Sequence, residues 1–85
     1  MESVEQVRQF VVSVISSACE LPASALPLDV PLRELGIDSV IAANISLELA
    51  GELGVELPFE AIENGATINT LSVFLYELVS NPVSQ

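Results

Sequence analysis

Ser39 is the residue in this chain best placed to do chemistry. It lies in the segment Leu35-Gly36-Ile37-Asp38-Ser39-Val40. The glycine relaxes the backbone, Asp38 is a natural helix cap, and Ser39 then falls in the first turn of the helix that follows. A helix start leaves backbone N–H groups without intrahelical acceptors, and its dipole favours negative charge, so this hydroxyl suits a phosphodiester. It does not suit unaided nucleophilic attack. The chain has no histidine and no lysine to act as a base, and no G-x-S-x-G elbow surrounds the serine. Asp38 stands close enough to help hold a divalent cation while another enzyme transfers a phosphoryl group. A serine opening a helix also needs no function, so the surrounding register has to decide between these readings.

The remaining reactive residues offer less. Cys19 is the single cysteine, which rules out an intramolecular disulfide and a cysteine-rich metal site; it reads as a small buried hydrophobe. Asp29 and the later acids lack the alternating ligand positions and closing glutamate of an EF-hand, so no intrinsic metal site is expected. Twelve acidic residues against Arg8 and Arg33 give a formal net charge of -10. Such a field repels nucleic-acid phosphates and anionic lipid while steering basic protein surfaces inward. The N-terminus lacks a basic region with an uninterrupted apolar run, and no stretch nears the roughly 20 apolar residues that span a bilayer, so a cytoplasmic protein is expected.

The elements that must position Ser39 follow from the apolar spacing. With 85 residues and 51% apolar content, the chain is long enough for one domain with a thin aliphatic core. Ser3 and Gln6 have the form of a capping box, and Val4, Val7, Val11, Val14, Ile15 and Ala18 recur at helical spacing with Phe10 beside them. This predicts a first helix over 4–19. Pro22, Pro27 and Pro31 prevent a long helix from Leu21 to Ile37, yet Leu26, Leu28, Val30, Leu32 and Leu35 are too apolar for a solvated linker. A long loop pinned by its leucines, with a short turn around Leu32 to Leu35, meets both requirements, and loops of that length are often functional.

The second helix is expected from Ser39 to Leu53, closed by Gly54, with Ile41, Ile45, Leu49 and Leu53 as its core stripe. Leu47 either offers an apolar contact to a visiting partner or packs against the long loop. Glu48, Glu52 and Glu56 form an acidic ridge that serves as a solvated face or as a docking surface. Phe59 to Glu63 makes a short helix between Pro58 and Asn64-Gly65, with Phe59 and Ile62 covering one end of the core. Thr67 caps a last helix carrying Ile68, Leu71, Phe74, Leu75, Leu78 and Val79, which Asn81-Pro82 stops.

With this register in place, the chain resembles the acyl carrier proteins of the phosphopantetheine-attachment family. The family's leucine, glycine, apolar residue, Asp-Ser and apolar residue read here as Leu35-Gly36-Ile37-Asp38-Ser39-Val40. The long first loop matches Leu21 to Ile37, and the later pattern matches Leu57-Pro58, Phe59 to Glu63 and Thr67 to Leu78. The resemblance implies an all-α four-helix bundle with three longer helices, one short helix and a long first loop. Residues 1–85 would form a single carrier domain with an ordered core of about 3–80 and a monomeric state.

The resemblance further implies that Ser39 is the attachment serine for 4'-phosphopantetheine. The arm would come from coenzyme A by a separate phosphopantetheinyl transferase, with Mg²⁺ taking part only in that reaction and Asp38 supporting it. The arm's thiol, not Cys19, would carry acyl groups, and the chain itself would catalyse nothing. The second helix would be the main recognition element, with Val40, Ala43, Asn44 and Leu47 as contacts and Glu48 and Glu52 supplying charge. Ile62 would border the place where a bound chain is sheltered. Partners would be acyl-loading enzymes, ketosynthases or other synthases with basic docking surfaces.

Asn44 stands where many members have glutamate, and Ala50 and Gly51 where fatty-acid carriers continue an acidic run, so these positions point away from housekeeping fatty-acid synthesis. Glu63, Gly65 and Ala66 differ from the aromatic and proline-containing pattern of modular polyketide carriers, while the charge density suits a freestanding carrier. The expectation is a polyketide or other specialised-metabolite pathway, such as antibiotic biosynthesis. A peptidyl or aryl carrier of nonribosomal peptide synthesis, a fatty-acid carrier and a non-covalent acidic helical adaptor are the alternatives.

Overall fold

The computed structural model describes residues 3–58 and 60–80. It is an all-α bundle: α1 spans Val4–Cys19, α2 Ser39–Leu53, α3 Glu60–Glu63 and α4 Ile68–Ser80. Two 3-10 turns, Ala23–Ala25 and Leu32–Leu35, lie in the long connection between α1 and α2. α1 packs most extensively on α4 and next on α2, while α3 bridges α2 and the second 3-10 turn.

Local chemistry sets the helix ends. Ser3 caps α1 by accepting from the Gln6 N–H at 3.3 Å. At the other end Glu20 adopts a left-handed conformation (φ 59°), and the N–H groups of Glu20 and Leu21 both turn back to the Ser16 carbonyl. α2 ends on Gly54 at φ 70°, where glycine meets no steric penalty and donates to Ala50. Thr67 and Thr70 cap α4 reciprocally: the Thr70 N–H donates to Thr67 Oγ1 at 3.1 Å and the Thr67 N–H to Thr70 Oγ1 at 2.8 Å. This is a capping box with threonine in place of the usual glutamate. Phe59 and the stop at Asn81-Pro82 lie outside the described residues.

The core joins Val7, Val11, Val14 and Ile15 of α1 to Leu26, Leu32 and Ile37 of the connection, Ile45 and Leu49 of α2, Leu57, Ile62 of α3, and Ile68, Leu71 and Leu75 of α4. Four expectations need correction. In α2 the fully buried line is Ala42, Ile45, Ser46 and Leu49, with Ile41 and Leu53 only half-buried. Residues four apart advance about 40° beyond a full turn at each step, so a strict run of fours drifts off any fixed face. In α4 the buried line is likewise Ile68, Leu71, Ser72 and Leu75, which leaves Phe74 41% exposed. Ala18 is exposed, and Cys19 is half-buried rather than fully enclosed. In the connection, Leu26 and Leu32 are buried, but Leu28 is exposed and held by its backbone.

Both buried hydroxyls are satisfied within their own helices: Ser46 Oγ donates to the Ala43 carbonyl at 2.9 Å and Ser72 Oγ to the Ile68 carbonyl at 2.6 Å. Among the described residues no helix is long and apolar enough to cross a membrane. Ile45 is fully buried at the centre of α2. Ile45→Ala is expected to cost about 2–5 kcal/mol in urea unfolding, and a loss below about 1 kcal/mol would contradict this packing.

Candidate functional site at the start of helix α2

The chain reaches Ser39 through three residues with distinct jobs. Gly36 ends the second 3-10 turn at φ 87°, a backbone state in which any side chain would be strained. Ile37 then plunges into the core at 5% exposure. Asp38 returns to the surface in extended conformation (φ -91°, ψ -173°) and caps α2: its Oδ1 accepts from the Ile41 N–H at 2.9 Å, and its carbonyl from the Ala42 N–H at 2.8 Å. Ser39 follows as the first helical residue, exposed to solvent.

This arrangement suits an anion on the serine oxygen. The N–H groups of Ser39 and Val40 precede the first residues that can bond back within the helix, so they are available to a phosphate. Asp38 spends one carboxylate oxygen on the Ile41 N–H. Among the described residues no group of three or more His, Cys, Asp or Glu is assembled to hold a metal ion.

The outer face of α2 continues from the serine. Val40 is 70% and Leu47 72% exposed, with Asn44, Glu48 and Glu52 also exposed and Ala43 half-buried. This settles the position of Leu47: it does not pack under the long loop. Ile62, by contrast, is 1% exposed and packs into the core, so its side chain presents nothing to a partner in this conformation. Cys19 sits at the far end of α1, where burial pushes its thiol above the ordinary cysteine range and keeps it a protonated, weak nucleophile at neutral pH. A groove of about 510 Å³ runs between α1 and the connection, lined by Arg8, Val12, Ala23 and Leu28 among others, and Ser39 takes no part in it.

The pattern of the family described as "Phosphopantetheine attachment site" matches residues 9–75, most of the chain and the whole of this site. The chain belongs to the phosphopantetheine attachment-site family. Members of this family are carriers, not catalysts, and the cofactor of this carrier is covalently attached phosphopantetheine. The chain is 43% identical over 51 residues to a phenolphthiocerol/phthiocerol polyketide synthase polypeptide of Mycobacterium tuberculosis, covering 60% of this chain and 3% of that protein. It is 38% identical over 53 residues to the hybrid PKS-NRPS synthetase apdA of Emericella nidulans, covering 62% of this chain and 1% of that protein. It is also similar to acyl carrier protein TtuC of Teredinibacter turnerae, at 27% identity over 73 residues, with 86% of this chain and 84% of that protein covered. No solved structure matches the carrier chain.

The Asp38 cap can be tested apart from any loading. Asp38→Ala is expected to lower unfolding stability by about 0.5–2 kcal/mol, while Asp38→Asn, which keeps a capping oxygen, holds most of it. Equal losses in the two variants would show that charge, not the cap, is what α2 requires.

Proposed function

We propose that Ser39 is the phosphopantetheine attachment residue and that the chain carries acyl intermediates for a polyketide or related specialised-metabolite synthase. The observation that supports this most is the exposed Ser39 hydroxyl at the first position of α2, beside the N–H groups of Ser39 and Val40 and inside the family match. When bound, the arm supplies a mobile thiol on which acyl groups ride as thioesters.

The chain's own residues prepare the acceptor. Ser39 presents its hydroxyl to coenzyme A held by a phosphopantetheinyl transferase with Mg²⁺. Its oxygen bonds to the pantetheine-side phosphorus as the pyrophosphate P–O bond breaks. Adenosine 3',5'-bisphosphate leaves with the bridging oxygen, and the hydroxyl proton passes to a base outside this chain. The free N–H groups at the start of α2 then face the resulting phosphodiester. The second oxygen of the Asp38 carboxylate is the group on this chain best placed to help hold the metal ion during transfer.

Val40 and Leu47 give α2 two apolar contacts, and Asn44, Glu48 and Glu52 surround them with polar and negative groups. A ketosynthase or acyl-loading enzyme with a basic rim and a small apolar recess fits that face, and a transferase meets the same residues. Ala43, half-buried between these contacts, lets a partner come close to the helix. The polyketide assignment draws on the mycobacterial synthase and on the hybrid synthetase. Residues 1–85 are read as a single carrier domain, and the need for coenzyme A agrees with a cytoplasmic protein.

Intact mass after incubation with coenzyme A, Mg²⁺ and a broadly acting transferase is expected to rise by one phosphopantetheine in the wild type and not in Ser39→Ala. An unchanged wild-type mass beside an active control carrier would favour a non-covalent adaptor. Preferential aminoacylation of the loaded thiol would replace the polyketide assignment with a peptidyl carrier. Leu47→Glu is expected to slow turnover with a synthase partner while leaving the helical circular dichroism signal intact; a lost signal would contradict its surface position.

A further inference from the structure

Asn69, in the first turn of α4, is bonded on both sides of its amide. Arg8 Nε donates to its Oδ1 at 3.0 Å, and its Nδ2 donates to Asp29 Oδ1 at 2.6 Å. Its backbone N–H also donates to the Leu28 carbonyl at 3.1 Å. One residue therefore gathers α1, α4 and the middle of the long connection, reaching partners 61 and 40 positions away in the chain. The position calls for a side chain that both accepts and donates, which an amide does through two separate atoms. A guanidinium only donates and a carboxylate only accepts, so the group between them must accept on one side and donate on the other.

The tie lies on the chain's route to Ser39. Just beyond Asp29, the Leu32 N–H donates to the Ala66 carbonyl at 2.8 Å, and the Leu32 and Ile37 side chains are buried. The segment from Leu28 to Asp38 is thus fastened at both its far end and its near end. The chain has only two cations, Arg8 and Arg33, and Arg8 is committed here, with Glu5 pairing to its guanidinium. In a chain of net charge -10, Asp29 is held against the protein surface by an amide relay from one of those cations.

We propose that Asn69 is a positioning residue for loading: by linking Arg8 to Asp29 it holds the connection in the conformation from which Ser39 is offered to the transferase. This rests on the reading of Ser39 as the attachment residue. The tie does not touch the hydroxyl. Releasing it lowers the fraction of molecules whose connection is ready to dock, which raises the apparent KM for the carrier and spares kcat once docked.

The test uses the full chain, a transferase, coenzyme A and Mg²⁺. Asn69→Ala is expected to raise the carrier KM by roughly 3–10-fold with kcat changed by less than about two-fold, the size of effect that loss of one ordinary hydrogen bond produces. Asn69→Asp is expected to do the same, although an added carboxylate in the first turn favours α4 through its dipole, because two carboxylates then face each other. The double variant Asn69→Asp with Asp29→Asn restores the alternation of donor and acceptor and is expected to return KM to near wild type. Ile15→Val, which loosens the core without removing a member of the tie, serves as a stability control at the same interval below its melting temperature. An equal rise in KM in that control, or no recovery in the double variant, overturns the proposal. Amide hydrogen exchange gives a readout independent of loading: residues 29–38 should exchange faster in Asn69→Ala and recover in the double variant, and unchanged exchange overturns the tie. If the wild type is never modified at Ser39, the attachment reading fails, and the positioning role falls with it.

Discussion

Burial of Ile37 between two surface residues is the constraint on which the site depends. The chain turns inward after Gly36 and outward at Asp38 within two residues, and the left-handed backbone before the plug (φ 87°) is one that glycine adopts without strain. Once Ile37 is locked into the core, Asp38 lies where its carboxylate reaches the Ile41 N–H, and Ser39 has to open the helix facing water. One buried aliphatic side chain therefore anchors the backbone two residues before an exposed serine. This is an economical way to hold a reactive position on a small domain, because the site needs no pocket of its own.

The electrostatics divide the molecule into two parts. Arg8 and its acidic neighbours are used internally, fastening the long connection to α1 and α4 through Asn69. The outer face of α2 keeps Glu48 and Glu52 exposed beside the apolar Val40 and Leu47. Apolar contacts of that size confer affinity, while the surrounding charge governs approach and partner choice. Under the proposed function the carrier visits several enzymes, and such a division would keep its contacts small and its steering long-range.

Much of the fold was legible because its signals are local. Ser3, Gly54, Thr67 and the prolines of the connection mark boundaries through the backbone states they favour, and the limits of α1 and α2 follow from them. The Asp38-Ser39 arrangement was legible for the same reason. What could not be read depended on which neighbour came close. A run of isoleucine and leucine hides the fact that Ala42 and Ser46 are buried beside Ile45 and Leu49, and apolar spacing gives Phe74 the same rank as Leu75. Ile62 was legible as core cover, and its burial agrees with that reading. The role of Asn69 has no signature in a single sequence: its donors and acceptors meet only after α1, the connection and α4 have packed.

Ser39 is the proposed covalent tether, and peptide mapping by tandem mass spectrometry of the protein isolated from its native cells is the decisive test of it. The predicted result is a phosphopantetheine mass on the peptide containing Ser39, fragmenting at the serine and carrying an acyl group on its thiol during pathway activity. An arm on another residue, or an acyl group bonded to Cys19 with Ser39 unmodified, would contradict it.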